Sequence, residues 1–209
     1  MHFTSLEAMD ELRRMYITPS FRARGTVEVA DIGSRGAGRT YRDLFSSDRG
    51  FRYTGVDLVP GPNVDLVLTN PYEIPMSDGS VDLVISGQMF EHCEFFWLSF
   101  LEMLRILKHD GYIFLIAPSV GPVHRAPVDC WRFYPDSYRA LAKWGRCKCV
   151  ESWRDTSTTL QHGQRHIWHD MVGVFRHCAS ARAAWNVSHL HHRNYPGASS
   201  IAKKGEPAA

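Results

Sequence analysis

VADIGSRGAGRTYRDLF, residues 29–45, decides how the chain is read. An apolar run ends in Asp31, three glycines follow (Gly33, Gly36, Gly38), and from about Arg39 the pattern turns amphipathic. That is a buried strand handed to a helix through a loop whose glycines let a ligand approach the backbone, next to a helix N-terminus with free N–H groups. The spacing D-x-G-x-x-G-x-G does not fit the dinucleotide fingerprint G-x-G-x-x-G, and the lysine of a phosphate-binding P-loop is missing. An acid at the strand end would repel pyrophosphate and suit a cationic group. The ligand expected here is a nucleoside with a positively charged, amino-acid-like tail.

Outward from this stretch, strands and helices alternate. Residues 5–16 place Leu6, Met9, Leu12 and Met15 at helical spacing, with Ser5 positioned to cap the helix. Strands are expected at 26–32, 51–59, 64–69, 79–86 and 112–118. The connection between the second and third is too short for a crossover helix. EFFWLSFLEMLRILKHDG (94–111) reads as a helix with Phe96, Phe100, Leu104 and Leu107 on one face and Gly111 as its C-terminal stop. Residues 121–133 read as a loop, 135–145 as a helix, 147–155 as a strand, 156–169 as a His-rich loop and 170–177 as the last strand. The fold class is therefore α/β: a Rossmann-like doubly wound sheet of about seven strands, mostly parallel, with an antiparallel last strand.

The chain has 209 residues, a net charge of +2 and 44% hydrophobic residues, the profile of a globular domain without a basic nucleic-acid footprint. Neither a signal-peptide pattern nor an apolar run of membrane-spanning length occurs. Five cysteines do not pair evenly, and Cys147 and Cys149 share one face of a strand, as a buried pair would. The expectation is a cytoplasmic protein with reduced thiols.

Asp57 ends the second strand about one βα unit after Asp31, where a carboxylate can accept two hydrogen bonds from ribose hydroxyls. Taken with VADIGSRGAG, YTGVDLV, IPMSDGSVDLVISGQMFEH and FLEMLRILKHDGYIFLIAP, the chain resembles the class I S-adenosylmethionine-dependent methyltransferases over residues 26–178. The resemblance implies S-adenosylmethionine as cofactor. It implies Asp31, Gly33, Ser34 and Gly38 at the methionine end, Asp57 on the ribose with Leu58 beside the adenine, Asn70 and Pro71 near the adenine edge, and Gln88 near the methionine moiety. Residues 1–25 would form an N-terminal helical cap and 179–209 a loosely held tail.

Methyl transfer to a hydroxyl needs a positioned nucleophile and a group to take its proton. The substrate region gathers His92, His124, Arg125, Asp129, Trp131, Arg132, Phe133 and Tyr134, with His162, His166 and His169 before the last strand. His92 and His124 are the candidate bases, and Asp129 could orient a histidine or bind a substrate hydroxyl. Trp131 and Phe133 either stack on a sugar or aromatic ring or anchor the following helix. No acid pair suited to magnesium is evident, so no metal is expected. The expected function is O-methylation of a sugar or natural-product hydroxyl, the segment DCWRFYPDSYRAL resembling methyltransferases of glycan and secondary-metabolite pathways. The alternatives are N-methylation of a small amine and a catalytically idle binding protein. The partner is a small molecule rather than nucleic acid or membrane, with a homodimer possible.

Overall fold

The central strand β1 (Val27–Ile32) is apolar on both sides because both sides are covered. In the computed structural model, which describes residues 3–155, 160–161, 164–165 and 168–178, its alternate side chains divide between two cores. Val27 and Val29 face one core; Ala30 and Ile32 face the other. The elements before β1 are α1 (Phe3–Tyr16) and α2 (Pro19–Arg22). After it come α3 (Tyr41–Phe45), β2 (Phe51–Asp57), β3 (Leu66–Val67), β4 (Val81–Gly87), a 3-10 turn (Phe90–His92) and α4 (Phe96–Ile106). β5 (Leu107–Pro118), α5 (Pro135–Trp144), β6 (Cys147–Arg154), β7 (Leu160–Gln161), β8 (Gln164–Arg165) and β9 (Asp170–His177) complete the order.

Seven strands form one sheet in the order β3-β2-β1-β4-β5-β9-β6. β1 to β5 pair in parallel, whereas β9 runs antiparallel to both β5 and β6. The expected antiparallel last strand is thus inserted between its two predecessors. The order reverses between β1 and β4, so the crevice for a ligand lies beyond their carboxyl ends. One core packs α1, α2 and α3 on Leu83, Ile85, Phe114, Ile116, Val172 and Val174; the other packs α4 and α5 on Val84, Ile113, Leu115, Ala117 and Phe175. Cys147 and Cys149 both lie against the second core, as their spacing predicts, and all five cysteines are free.

Several boundaries differ from the sequence-based expectation. Helix α1 begins at Phe3, so Ser5 lies inside it, buried, with its hydroxyl on that of Tyr41 rather than on a backbone cap. Met15 is exposed; Tyr16 instead packs on Tyr112 and Phe114. Helix α4 stops at Ile106, because Leu107 turns extended and pairs with Val81. Gly111 is therefore not a helix stop. It belongs to a bulge of β5 opposite Asp82, whose carbonyl oxygen would lie 2.5 Å from any Cβ at that position. β3 is only two residues long, and the expected loop at 156–169 contains the short β7–β8 pair. Among the described residues no helix is long and apolar enough to cross a membrane. The expected tail, 179–209, lies outside the described residues.

Candidate active site

The end of β1 is built around a buried acid. Asp31 is 2% exposed and accepts a hydrogen bond from the Tyr53 hydroxyl of the neighbouring strand. Burial pushes its carboxyl up to about 7; the Tyr53 bond and Arg42 pull it down, and Asp57 pushes it up. Such a carboxylate calls for more positive charge than its neighbours give it, which an ammonium or sulfonium would supply.

The glycine loop is tied down by the segment that crosses it. Ser34 donates from its backbone to Val56 and from its hydroxyl to the Asn63 carbonyl, while the Asn63 amide donates to the Gly36 carbonyl at 2.7 Å. Ser34 thus fixes the loop and has its hydroxyl proton committed to the protein. Gly55 lets Asn63 pass, since a Cβ there would sit 1.8 Å from the Asn63 oxygen. Gly33, at φ +85°, brings the loop against Met89, 2.6 Å from where a Cβ would be. Gly38, at φ +77°, faces open space.

Asp57 ends β2 half-buried. Its two oxygens accept backbone N–H groups from Arg35 (3.0 Å) and Val59 (3.2 Å). A carboxylate has about four acceptor sites, so two remain for a vicinal diol. Leu58 and Val59 lie 50% and 48% exposed beside it, an apolar shelf for a purine. Asn70 caps its own turn, its amide oxygen accepting the Tyr72 N–H at 3.0 Å, and a second lone pair stays available. Pro71 lends its carbonyl to Ser99. These residues fit an adenosine with a cationic tail.

Gln88 closes the crevice beyond β4 at φ +59°. Its amide donates to Asp170 at 2.9 Å, and its own oxygen is buried without a hydrogen-bond partner among the described residues. Thr4 donates to the other oxygen of Asp170 at 3.0 Å, so α1 roofs the site from above β4. His169, in the turn leading into β9, accepts at its carbonyl from Ser119. His162 and His166 lie outside the described residues.

Beyond β4 and β5 the other predicted residues come together. His92 donates from Nδ1 to the Val128 carbonyl at 2.5 Å, which leaves Nε2 with a lone pair. The His92 and His124 rings meet edge to face, centroids 4.8 Å apart, and His124 also packs on Trp168. Asp129 grips Arg132 through both oxygens at 2.6 and 2.8 Å and lies 3.5 Å from His124 Nδ1. The Arg132 guanidinium holds the Asp129 carboxyl well below the usual range; burial and the neighbouring His92 hold His124 below its own. Phe133 is buried against Phe90, Phe96 and Tyr138, so it anchors α5. Trp131 is 36% exposed, its indole N–H on the Cys93 carbonyl.

Sequence reasoning passed over Glu91. It is fully buried, and neither carboxylate oxygen has a hydrogen-bond partner among the described residues. Burial pushes its carboxyl up to about 8, with Asp170 pushing the same way and Arg132 opposing. The available signal was an acid next to the apolar pair Met89 and Phe90 just beyond β4, where a solvated loop residue would be the ordinary reading. Asp170 lies 82 residues from Gln88 and 166 from Thr4, so neither carries a local mark.

Residues 30–115 match a family model described as a methyltransferase domain. No curated protein matches the chain in sequence. Among solved structures, it resembles the 1,6-didemethyltoxoflavin-N1-methyltransferase of Burkholderia thailandensis, at 19% identity over 84% of this chain and 80% of that one, TM-score 0.60. A putative sarcosine dimethylglycine methyltransferase from Galdieria sulphuraria is 17% identical over 83% and 84%, TM-score 0.59. The YcgJ protein of Bacillus subtilis is 16% identical over 85% and 100%, TM-score 0.58. At these identities the likeness is one of fold. The matched residues run from the end of β1 into β5 and include Asp31, the glycine loop and Asp57, so this part of the chain is similar to a methyltransferase domain and the chain shares the fold of solved methyltransferases.

Proposed function

We propose that the chain methylates a small molecule, most directly a hydroxyl of a sugar or natural product. The observation that carries this reading is the continuity of the two half-sites. The crevice residues Gln88 and Asp170 adjoin Glu91, and the turn bearing Glu91 and His92 faces the loop bearing His124 and Asp129. When bound, S-adenosylmethionine supplies a methyl group already activated by its sulfonium. Asp57 holds the ribose hydroxyls, Leu58 and Val59 cover the base, and Asp31 faces the cationic tail.

A hydroxyl acceptor must also lose a proton, and His92 with its free Nε2 is placed to take it. Asp129 fixes the backbone of His124 beside it, accepting its N–H at 2.7 Å. The exposed Trp131, Val123 and Tyr134 offer apolar surface for a ring-bearing acceptor. N-methylation is the second reading, favoured by the likeness in fold to the Burkholderia protein, an N1-methyltransferase. A neutral amine needs no base, so the two separate on His92→Ala. That variant should lose most turnover on a hydroxyl acceptor and little on an amine.

The test of the cofactor half is calorimetric titration of S-adenosylhomocysteine into wild type and Asp57→Ala. Saturable binding that weakens more than tenfold in the variant, about 1.4 kcal/mol, supports the assignment. Equal affinity in both would remove Asp57 from the site. The acceptor half is tested by incubating hydroxyl and amine panels with the cofactor and scoring products by mass.

A further inference from the structure

We propose that Glu91, His92 and His124 form a binding site for one divalent first-row transition-metal cation of the zinc type. Each offers one ligand atom, and these atoms all lie within 4.8 Å of one another. Zinc holds nitrogen and oxygen ligands at about 2.0–2.2 Å, so tetrahedral ligands stand about 3.3 Å apart. Glu91 Oε1 and His92 Nε2 are already at 3.7 Å, and side-chain rotation of His124 closes the rest.

Three features argue for a built site. First, Glu91 is fully buried with both oxygens unpartnered among the described residues, an arrangement that costs free energy unless a positive group completes it. The nearby guanidinium of Arg132 is held by Asp129 in a forked pair. Second, the histidine tautomer suits ligation. The Val128 carbonyl can only accept, so it takes the Nδ1 proton of His92 and turns the Nε2 lone pair toward Glu91. Asp129 accepts the backbone N–H of His124 at 2.7 Å and so positions the loop that carries its ring. Third, the two ligand-bearing segments are tied together, because the Glu91 carbonyl accepts the backbone N–H groups of Cys130 (2.7 Å) and Trp131 (3.2 Å).

Two imidazoles and one carboxylate select a cation of borderline softness over magnesium or calcium, which prefer oxygen alone. Three protein ligands leave a coordination position open, the pattern of catalytic zinc. With the cation bound, the Nε2 lone pair of His92 is committed to it; on the hydroxyl-acceptor reading above, which this consequence rests on, the open position would then receive the acceptor oxygen and lower its pKa in place of a free histidine base. Binding of the cation does not depend on that reading.

The experiment uses the full chain, stripped with a chelator and titrated with Zn2+ by calorimetry and with Co2+ by visible absorption. One site per chain is expected, with cobalt bands of low coordination number. Glu91→Gln and His124→Ala should each weaken Zn2+ at least tenfold and remove the bands. The tail variant His189→Ala/His191→Ala/His192→Ala, and Asp57→Ala, which loses the cofactor, should keep both. Circular dichroism controls for folding, and His124, on a partly exposed loop, provides the test if Glu91→Gln does not fold. Absence of saturable binding overturns the proposal. So does binding that survives both ligand variants, or that disappears with the tail histidines.

Discussion

Asp31 carries the sharpest consequence at the scale of single residues. Its carboxyl titrates at about 7 in the folded protein against an ordinary 3.8. Between those values the folded state binds the extra proton, so stability falls as pH rises from about 4 to about 7. The full difference is a few kcal/mol, at about 1.4 per pKa unit. Asp31→Asn should abolish that fall. The variant should melt higher than wild type at about pH 8, the gap closing toward about pH 4, as scanning calorimetry across pH would show. It should also lose affinity for S-adenosylhomocysteine, because the cationic tail loses its counter-charge. A cationic ligand favours the ionised carboxylate. Wild-type affinity should therefore rise with pH and level off above about 7, changing by up to about tenfold per pH unit below it. A flat affinity profile would mean that Asp31 does not face the tail. Both acids at the strand ends were legible as residues, since a carboxylate that closes an apolar run stands out against the run itself. The burial that raises Asp31 was not legible, because it comes from Tyr53 on the neighbouring strand and from helices on the face above.

At the scale of elements, β5 shows where local pattern yields to pairing. The run LKHDG has helical continuity with α4, and its glycine has the usual place of a helix stop. The chain leaves the helix earlier because Leu107 buries itself beside Val81 and the following residues bulge around Asp82, which accepts from the Lys108 ammonium at 2.8 Å. Gly111→Ala puts a methyl 2.5 Å from a backbone oxygen that cannot swing away. It should cost about 1–3 kcal/mol, read as a lower urea midpoint at unchanged slope. Helix α5 shows the opposite case: the helix expected over 135–145 forms over Pro135–Trp144, with Pro135 in its first turn and Tyr138 and Leu141 buried. Helix α1 lies between the two. Its apolar stripe was plain, but Met15 is exposed, since Tyr16 reaches the ring cluster of Tyr112 and Phe114 first. Leu12→Ala, at a site 1% exposed, should destabilise by about 2–5 kcal/mol in the same denaturation assay.

Across the whole molecule, the site is a meeting of distant segments at the reversal of strand order. Thr4 and Asp170, 166 residues apart, share one hydrogen bond, and Asp170 also takes the Gln88 amide, 82 residues away. A ligand bridging β1, β2 and β4 should stabilise the fold as a unit. S-adenosylhomocysteine at a hundred times its Kd should raise unfolding free energy by about 2.7 kcal/mol in wild type and by much less in Asp57→Ala. Equal stabilisation of the two would place the ligand elsewhere.

Periodicity and strand-end chemistry by themselves determined the alternating α/β order, the parallel run of five strands, the antiparallel end and the acids that close the first two strands. Those properties are local: burial on both faces makes strands rich in apolar residues on both sides, and a carboxylate at a strand end sits where the backbone opens to a ligand. Only the tertiary structure decided which late side chains come together beyond β4 and β5. His92, His124 and Asp129 converge because the loop after β5 is bonded to the turn after β4. Glu91 joins them as a buried, unpartnered acid, a state that depends on what packs around it and leaves no trace in the spacing of its neighbours.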